Sequence, residues 1–304
     1  MKVAIIIINF NGEEDTAQCL RSLEALNFPK ENLLTVVVDN GSKKKLELSK
    51  TTLASGNIKV LDAGENLGFA GGNNFGIRYA IENGADYVML LNNDTYVEKN
   101  LVKELLSAFQ AESNVGIIAP KIYFAKGFEF HKNNYREEDL GKVFWYAGGI
   151  MDWENVIGRH RGVDEVDHGQ YERIEDTDFA TGCCFFTSVE VLQRVGFLDE
   201  RLFLYYEEND LCQRVKQYGY RILYAPKAIL WHKNAQSTGG SGSALQDYFI
   251  TRNRLWFGMR YASLRARIAL IRESIKLLIS GRKWQKVGVL DFFLRKFGKG
   301  SYAV

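Results

Sequence analysis

The sequence predicts an α/β fold with a mostly parallel central sheet flanked by helices, followed by a basic helical extension. Short apolar runs, typical of strands buried on both faces, and helical periodicity between them indicate the sheet. Charge indicates the extension. From Arg252 to the C-terminus there are 13 Lys and Arg residues against 2 Asp and Glu, whereas the first 251 residues contain 26 against 35. The acidic body and the basic tail are therefore expected to serve different functions.

The overall composition is that of a globular protein. With 304 residues, 46% hydrophobic and 25% charged, the chain is neither disordered nor a disulfide-rich mini-protein. Its formal net charge of +2 predicts no nucleic-acid partner, since such proteins usually carry a strong basic excess. The four cysteines, Cys19, Cys183, Cys184 and Cys212, form no CxxC pair, and no apolar run reaches about 18 residues. We therefore expect a cytoplasmic protein, soluble or peripheral on the cytoplasmic face of the membrane.

The first 110 residues alternate strands with helices. The predicted strands are Val3–Ile8, Leu34–Asp39, Ile58–Leu61 and Tyr87–Leu91. The predicted helices are the segment from Cys19 to Asn27, Phe69–Asn83, and one with Val97, Leu101, Leu105 and Phe109 on a single face. This order favours a parallel sheet covered on both faces, whose ligands bind beyond the carboxyl ends of the strands.

The alternation is interrupted in the second half of the chain. A charged and aromatic stretch between residues 126 and 178 predicts loops and short hairpins. Thr187–Val195 and Asn209–Tyr218 are predicted helices, and Arg221–Ala225 is a predicted strand that ends at the following proline. From Tyr248 onward the chain is predicted to be helical.

Polar side chains follow three of the predicted strands, namely Asn9, Asp39 and the run Asn92–Asp94. A carboxylate that emerges from a buried strand is costly unless a cation neutralises it, and a hard divalent cation that bridges to phosphates is one such partner. Asp39, beside Gly41, could instead accept a hydrogen bond from a nucleobase or a ribose. Each aspartate alone could equally be a turn or N-cap residue, but the two together favour a ligand site.

The segment Asn66–Asn74 is rich in glycine and asparagine and leads into a predicted helix. Its small residues would let the backbone approach a phosphate at the helix N-terminus, although by itself the pattern fits a plain tight turn better. The segment matches neither the GxGxxG fingerprint nor the P-loop motif, which disfavours a dinucleotide-dependent dehydrogenase.

Three carboxylates lie within four positions, at Glu207, Glu208 and Asp210. Neighbouring carboxylates raise one another's pKa, which suits a general base. They could also form the acidic first turn of the helix that follows, where the helix dipole favours negative charge.

His232 lies between an apolar segment and a loop rich in glycine and serine, which distinguishes it from the other three histidines. Most isolated histidines are surface residues, or core residues whose hydrogen bonds are satisfied, and bind no metal. As a metal ligand, His232 would need a neighbouring group to hold its second ring nitrogen.

The order of these motifs resembles the inverting, nucleotide-sugar-dependent glycosyltransferases of family 2, which have the GT-A fold. The resemblance runs through nearly the whole chain. It implies nucleotide-sugar contacts from Asn9, Asn11, Asp39, Asn66, Gly68, Ala70, Asn73 and Asn93, and metal ligation by Asn92, Asp94 and His232. It implies acceptor-side contacts from Gly182 and Cys183, a general base within Glu207–Leu211, and a late H-x-x-x-x-S pattern formed by His232 and Ser237.

The resemblance also implies an organisation and a mechanism. Residues 1–250 would form the catalytic domain, with a nucleotide-sugar-binding half to about residue 120 and an acceptor-side half from about residue 121, and residues 251–304 would form the extension. Mg²⁺ or Mn²⁺ would stabilise the departing nucleotide diphosphate. Glu208 is favoured as the base that deprotonates the acceptor hydroxyl, with Glu207 and Asp210 as alternatives.

Two segments resemble rhamnosyltransferases most, namely the Asn-Asn-Asp run at 92–94 and Arg252–Arg254. They imply transfer of a sugar, with rhamnose favoured, from a dTDP- or UDP-sugar to a growing surface glycan or a lipid-linked acceptor. A sugar nucleotidyltransferase is the rival enzyme class, but it would normally have a Gly-rich loop with a basic residue where this chain has Asn9–Gly12. A non-enzymatic membrane-surface adaptor would leave Asp39, Asp94 and Glu208 unexplained.

The basic tail contains an apolar helix stripe formed by Leu264, Ile268, Ile271, Ile275 and Leu278. The stripe could pack on the catalytic domain and leave a solvated basic face. Alternatively, residues 252–304 could bind an anionic membrane surface through the aromatic residues Trp256, Phe257, Trp284, Phe292 and Phe293.

Overall fold

A mixed β-sheet organises the molecule. The computed structural model describes residues 1–47, 57–233 and 242–302. The described strands are β1 (Val3–Asn9), β2 (Leu33–Asp39), β3 (Ile58–Asp62), β4 (Tyr87–Asn92), β5 (Thr95–Val97), β6 (Val115–Phe124), β7 (Phe144–Tyr146), β8 (Gly149–Asp152), β9 (Ile157–His160), β10 (Glu175–Asp176), β11 (Cys184–Ser188) and β12 (Arg221–His232). The described α-helices are α1 (Glu13–Glu24), α2 (Gly68–Glu82), α3 (Leu101–Ala111), α4 (Val189–Val195), α5 (Glu207–Gln217), α6 (Ala244–Tyr261), α7 (Leu264–Ser280) and α8 (Lys283–Phe293).

Eight strands of the main sheet follow the order β10-β12-β6-β11-β4-β1-β2-β3. β5 pairs with β12, β7 pairs with β6, and β8 and β9 form a separate hairpin. The pairs β1–β2, β1–β4, β2–β3 and β6–β12 are parallel, as predicted for the first half. β11 is antiparallel to both of its neighbours, β4 and β6, so the sheet is more mixed than the sequence predicts.

The strand directions bring the predicted polar residues to one edge of the sheet. Asn9 and Asp39 are register partners at the ends of β1 and β2, and Asn92 ends β4. β12 is parallel to β6 and ends with His232, whereas β11, which runs the other way, begins at the same edge with Cys184. Ligands of parallel sheets bind beyond this edge.

The core is built on strands buried on both faces. Residues Val3–Ile7 are inaccessible to solvent, and β6 is buried along its whole length. The sequence prediction missed β6 because the polar Lys121 interrupts its apolar run. Lys121 is buried there by ion pairs with Asp167 and Glu172, which are remote in sequence. All four cysteines are also buried.

Two predicted helices begin later than expected. Val97 belongs to β5, because it pairs with Leu230 of β12, and α3 begins at Leu101. Thr187 belongs to β11, and α4 begins only after Ser188, whose side chain accepts a hydrogen bond from the first turn.

The strand predicted to end before Pro226 continues to His232. A bulge between Ala225 and Ile229 takes the proline out of the hydrogen-bond ladder, so that its missing N–H costs no ladder bond. The longer strand is what places His232 at the edge where the other polar residues lie.

Helix α6 runs without a break from Ala244 to Tyr261, so the predicted domain boundary between residues 250 and 251 falls inside it. Phe249 and Phe257 of this helix are fully buried. α6 therefore packs as part of the body, and α7 and α8 follow it.

Helix α7 turns its apolar stripe outward. Leu264, Ile268 and Ile275 are 73%, 45% and 54% exposed, and the residues that α7 buries are Ala266, Leu270 and Ser274 on another side of the helix. Of the other two stripe residues, Ile271 is half-buried and Leu278 packs against the main core cluster, so the stripe packs on the body only in part.

The aromatic residues predicted to face a membrane are mostly packed inside. Phe257 is buried, and Trp256, Trp284 and Phe292 pack against the apolar clusters, whereas Phe293 is 51% exposed. Within the described ranges, none of the helices combines the length and apolar character needed to cross a bilayer.

Candidate active site

A carboxylate and an imidazole meet where β5 pairs with β12. Oδ1 of Asp94 lies 3.1 Å from Nε2 of His232, and both side chains are buried. The backbone N–H of Lys233 donates to the carbonyl oxygen of Asp94 over 2.9 Å, which fixes the two chain segments against each other. Asn92 is half-buried two residues before Asp94.

This pair has the donor chemistry of a divalent cation site that a substrate completes. Carboxylate, amide and imidazole groups are ligands that Mg²⁺ and Mn²⁺ accept in proteins. Within residues 1–47, 57–233 and 242–302, no three His, Cys, Asp or Glu side chains converge on one point. The pair supplies one carboxylate and one imidazole, so a cation bound there would take its remaining ligands from neighbouring polar groups, phosphate oxygens and water.

Trp145 separates His232 from a second, half-buried histidine, His160. Its ring lies edge-to-face with His232 and with His160, at centroid distances of 4.5 and 4.4 Å. Burial lowers the pKa of His160 to about 4, so this imidazole is neutral at physiological pH and adds no positive charge beside His232. Nδ1 of His232 is buried without a hydrogen-bond partner among the described residues, so the expected holding group is not found there.

Side chains cross-link the ends of β1 and β2. The amide of Asn9 donates to Asp39 over 3.3 Å and to Ser42 over 3.1 Å. Asp39 also accepts from the backbone N–H groups of Ser42 and Leu46, and the backbone N–H of Asn11 donates to the Ser42 hydroxyl over 2.9 Å. Asp39 thus stabilises the turn after β2. A carboxylate can accept roughly four hydrogen bonds, so the three donors leave one acceptor site for a ligand.

The segment before α2 is shaped by two asparagines. Asn40 accepts from the N–H of Leu67 and donates to the carbonyl of Gly68, while Asn66 accepts from the N–H of Gly68 over 2.9 Å. Gly68 has a φ of +73°, and a Cβ there would lie 2.4 Å from the carbonyl oxygen of Phe203. The start of α2 is therefore tied both to the end of β2 and to the chain around Phe203.

Three predicted nucleotide-sugar contacts form hydrogen bonds within the protein. The N–H of Ala70 donates to the carbonyl of Phe203 over 3.2 Å. The amide of Asn73 donates to the carbonyl of Phe69 over 2.9 Å. Asn93 donates to the Thr16 hydroxyl over 3.0 Å and so faces α1.

Gly182 lies where the predicted donor and acceptor sides meet. A Cβ on Gly182 would lie 3.3 Å from the ring of Phe69 and 4.0 Å from Cβ of Glu208. The next residue, Cys183, accepts from the backbone N–H of Asn92 over 2.8 Å. The start of α2, the end of β4 and the carboxylate segment are thereby brought together around one glycine turn.

Glu207 and Glu208 open α5 with different exposures. Glu207 is buried, and burial raises its pKa well above the ordinary value, whereas Glu208 is half-buried and burial raises its pKa to about 7. One oxygen of each carboxyl is buried without a hydrogen-bond partner among the described residues. A partly accessible carboxyl that titrates near neutrality is suited to take a proton from a substrate.

Asp210 has a different environment. Its oxygens accept hydrogen bonds from Arg214 over 2.7 Å, from Arg260 over 2.9 Å and from Tyr261 over 2.8 Å, and its side chain is inaccessible. These contacts make Asp210 an ion-pair anchor between α5 and α6. The geometry favours this structural role over the alternative that Asp210 is the base.

Sequence reasoning missed several residues of this region. Asn40 follows Asp39 directly, and its role was predictable because asparagines at turns bond to nearby backbone. Trp145 and His160 lie in the charged and aromatic stretch between residues 126 and 178, and only the strand pairing brings them to His232. Ser237 lies outside the described residues.

The comparisons with known proteins agree with the geometry. The sequence model of glycosyl transferase family 2 matches residues 4–196. The low-salt glycan biosynthesis hexosyltransferase Agl10 of Haloferax volcanii is 28% identical over 253 residues, which cover 83% of this chain and 74% of the relative. The dTDP-rhamnosyl transferase RfbF of Shigella flexneri is 26% identical, with coverages of 75% and 67%. The N-acetylglucosaminyl-diphospho-decaprenol L-rhamnosyltransferase of Mycobacterium tuberculosis is also 26% identical, with coverages of 72% and 73%.

Solved structures identify the architecture as the GT-A fold. The crystal structure of GalNAc-T7 with UDP, GalNAc and Mn²⁺ superposes with a TM-score of 0.60 at 15% identity, covering 97% of this chain and 58% of the other. The mannosyltransferase PcManGT of Pyrobaculum calidifontis, in complex with GDP-Man and Mn²⁺, superposes with a TM-score of 0.52 at 13% identity, covering 97% and 88%. At these identities the likeness is one of fold.

Proposed function

The chain belongs to glycosyl transferase family 2, and from this membership we propose that it is a metal-dependent, inverting transferase of sugars. The donor is a dTDP- or UDP-sugar, with rhamnose favoured, and the acceptor is a hydroxyl of a growing glycan or a lipid-linked glycan. The convergence of Phe69 and Glu208 on Gly182 carries the proposal, because it sets a titratable carboxyl beside the start of α2. The Asp94–His232 pair lies at the same edge of the sheet as Cys183, the residue that follows Gly182.

Glu208 is the proposed base. Glu207 is more deeply buried, and the oxygens of Asp210 are held by two arginines and a tyrosine. In the proposed step a carboxylate oxygen of Glu208 takes the proton of the acceptor hydroxyl while the hydroxyl oxygen of the acceptor forms a bond to the anomeric carbon. The bond from this carbon to the diphosphate oxygen breaks, the nucleotide diphosphate departs with the electron pair, and the configuration inverts.

Asp94, His232 and Asn92 are the proposed ligands of Mg²⁺ or Mn²⁺, which when bound supplies positive charge to the leaving diphosphate. The Mn²⁺ in both superposed structures supports a divalent cofactor. Asp39 is proposed to use its remaining acceptor site for the N3–H of uracil or thymine. The turn at Asn66–Gly68 borders the same space through Asn40.

The names of the relatives support the finer assignment. One is named a dTDP-rhamnosyl transferase and another an L-rhamnosyltransferase of a diphospho-decaprenol substrate. By this analogy we favour a rhamnosyl donor and a lipid-linked acceptor.

An enzyme that acts on a lipid-linked acceptor must reach a membrane surface. The last two helices present a face whose composition suits contact with a membrane. We name as the outer apolar face the exposed side chains Leu264, Ile268, Ile275 and Ile279 of α7, Leu290 and Phe293 of α8, and Leu294 directly after α8. The exposed basic residues Arg265, Arg272, Lys276, Lys283 and Arg295 accompany it. Apolar residues flanked by Lys and Arg are the composition that binds anionic lipid at the interface, so an anionic bilayer is the proposed partner of this face.

The donor experiment tests the proposed function. The chain is heated with each of dTDP, UDP, dTDP-rhamnose and UDP-sugars, with and without Mn²⁺ or Mg²⁺, and binding should raise the melting temperature by linkage. The stabilising sugar nucleotide should then release its nucleotide diphosphate when a lipid-linked acceptor is added. Formation of a sugar nucleotide from a nucleoside triphosphate and a sugar phosphate, without transfer, would instead establish the rival nucleotidyltransferase.

A further inference from the structure

The backbone in front of α5 adopts a conformation that its side chains disfavour. Phe203, Tyr205 and Tyr206 have φ angles of 64°, 69° and 72°. Bulky residues rarely occupy this left-handed region, and such strain persists only where the surroundings hold it. The two residues that follow are Glu207 and Glu208, so the strained segment determines where these carboxyls lie.

Asn253 of α6 holds this segment through its side-chain amide. The amide nitrogen donates to the carbonyl oxygens of Leu202, Leu204 and Tyr205 over 2.8, 2.8 and 2.9 Å. Asn253 is fully buried. Its two N–H groups thus serve three carbonyls that turn toward α6 because of the unusual backbone.

Arg252 fixes the orientation of that amide and extends the same contacts. Its Nε donates to Oδ1 of Asn253 over 2.9 Å, and its Nη2 donates to the carbonyl of Leu202 over 3.0 Å. Its Nη1 donates to the carbonyl of Gly298 over 2.7 Å. This side chain is fully buried, and the carboxylate of Asp291 is linked to it through the hydroxyl of Tyr248, which donates to Asp291. The guanidinium also donates to the hydroxyl of Tyr248 over 3.3 Å and lies over the ring of Phe249. Burying a charge without an ion-pair partner is costly, and here these contacts fix the orientation of the side chain.

The held segment also contacts the start of α2. The carbonyl of Phe203 accepts from the N–H of Ala70, and its ring lies against Gly68. Residues 201–206 therefore link α6, the turn before α2 and the start of α5.

We infer that Arg252 and Asn253 are positioning residues that hold the strained segment 201–206 and thereby set the position of Glu208 in the site. Neither residue touches a substrate in this assignment. The inference rests on the proposed function in so far as Glu208 is the base, but its structural part is measurable without turnover.

The test uses the full chain carrying Asn253→Leu, which keeps the side-chain size and removes the amide donors. Hydrogen exchange followed by mass spectrometry should show at least tenfold faster exchange in peptides covering 201–210, with β1 and β4 unchanged. With the donor that the wild-type protein uses, kcat should fall at least tenfold while KM for the donor stays within threefold. The acidic limb of the pH profile should move to lower pH, because Glu208 gains solvent.

Thr187→Val is the matched control. It removes another buried hydrogen bond from a side chain to a backbone carbonyl, that of Gly116, at the centre of the sheet. Its melting temperature should fall like that of Asn253→Leu, without the change in exchange at 201–210, in kcat or in the pH profile. If Asn253→Leu does not fold, Arg252→Lys replaces it, since lysine keeps the charge but loses the planar fork of donors.

The outcomes separate the two proposals. Equal exchange at 201–210 and equal kcat in Asn253→Leu and Thr187→Val would overturn the positioning role. A wild-type protein that releases nucleotide from no dTDP- or UDP-sugar would overturn the proposed function, and the exchange experiment would still decide whether Arg252 and Asn253 hold the segment.

Discussion

Nε2 of His232 lies 3.1 Å from Oδ1 of Asp94, although 138 positions separate the two residues in the chain. The contact exists because β5 folds back against β12, which sets Thr95 opposite His232. It joins the polar run at the end of β4 to β12, and it makes the proposed cation site testable by single substitutions.

Asp94→Asn should abolish the effect of Mn²⁺ on nucleotide binding. The substitution removes the carboxylate charge but keeps the size, so the affinity for the nucleotide diphosphate measured by calorimetry with Mn²⁺ should fall at least tenfold, about 1.4 kcal/mol. EDTA should weaken binding to the wild-type protein and leave the variant unchanged. Asp62→Asn, at an exposed ion pair with Lys45, is the control. Equal Mn²⁺ dependence in wild type and Asp94→Asn would rule out Asp94 as a ligand.

Glu208→Gln should stop transfer while sparing donor binding. General bases typically contribute factors of about 10² to 10⁴, so kcat should fall within that range. Donor affinity, measured by thermal shift, should remain close to that of the wild type. Glu207→Gln is the comparison, since the carboxyl of Glu207 is more deeply buried. Full turnover by Glu208→Gln would show that another group takes the proton.

The rate should depend on pH with a midpoint near neutrality. Burial raises the pKa of Glu208 to about 7, and only the deprotonated carboxyl can accept a proton, so activity should fall as pH drops through about 7. Among the described residues, Glu207, Tyr206 and Cys212 are titratable groups that interact with this carboxyl, and burial raises the pKa of each. A profile of kcat/KM between pH 5 and 9 checks the midpoint. An acidic limb near the ordinary glutamate pKa of about 4.3 would contradict the assignment.

Asp210→Asn should destabilise the fold. The substitution leaves the guanidinium groups of Arg214 and Arg260 without their carboxylate, and breaking a buried pair in this way costs about 3 kcal/mol. Urea unfolding measures the loss. The double substitution with Arg260→Met should recover part of it, because one unpaired charge is then absent. A loss below about 0.5 kcal/mol would mean that Asp210 is no anchor.

Replacing Ile275 and Ile279 by serine should weaken binding to anionic vesicles. Both side chains belong to the outer apolar face, at 54% and 76% exposure, so the change should hardly affect the melting temperature. Sedimentation with vesicles containing phosphatidylglycerol, at low and high salt, gives the measurement. A paired change at Ala266 and Leu270, which α7 buries, should instead lower the melting temperature. Equal sedimentation of the wild type and the double serine variant would exclude this face as the membrane contact.

Local sequence patterns predicted those parts of the fold in which residues near in sequence determine the structure. The strands β1, β2 and β4 are continuous apolar runs, and the polar residues that end or follow these runs include Asn9, Asp39 and Asp94. β6 escaped prediction because the burial of Lys121 depends on acids about fifty positions away. No local pattern contains that information.

The orientation of the helices on the body could not be predicted from the sequence either. Periodicity shows that α7 has an apolar side, but whether this side meets the body depends on how α6 directs the chain. The role of Asn253 was also unpredictable, because in the sequence it is an ordinary polar residue of a helix. Its role depends on three carbonyl groups of a distant segment that contains residues with positive φ. Strain at Phe203 and Tyr205 has no signature in composition or spacing.

The four buried cysteines can serve as probes of local opening of the structure. Burial raises the pKa of Cys19 and Cys212 to about 12 and those of Cys183 and Cys184 well above the ordinary value, so thiolate is scarce and solvent access is closed. Alkylation can then proceed only through opening of the structure. Cys183 follows the Gly182 turn, and Cys212 accepts from the N–H of Ala180 on the other side of that turn. The alkylation rates of these two thiols, compared with that of Cys19 beneath Thr95, would report how often the site opens relative to the rest of the sheet.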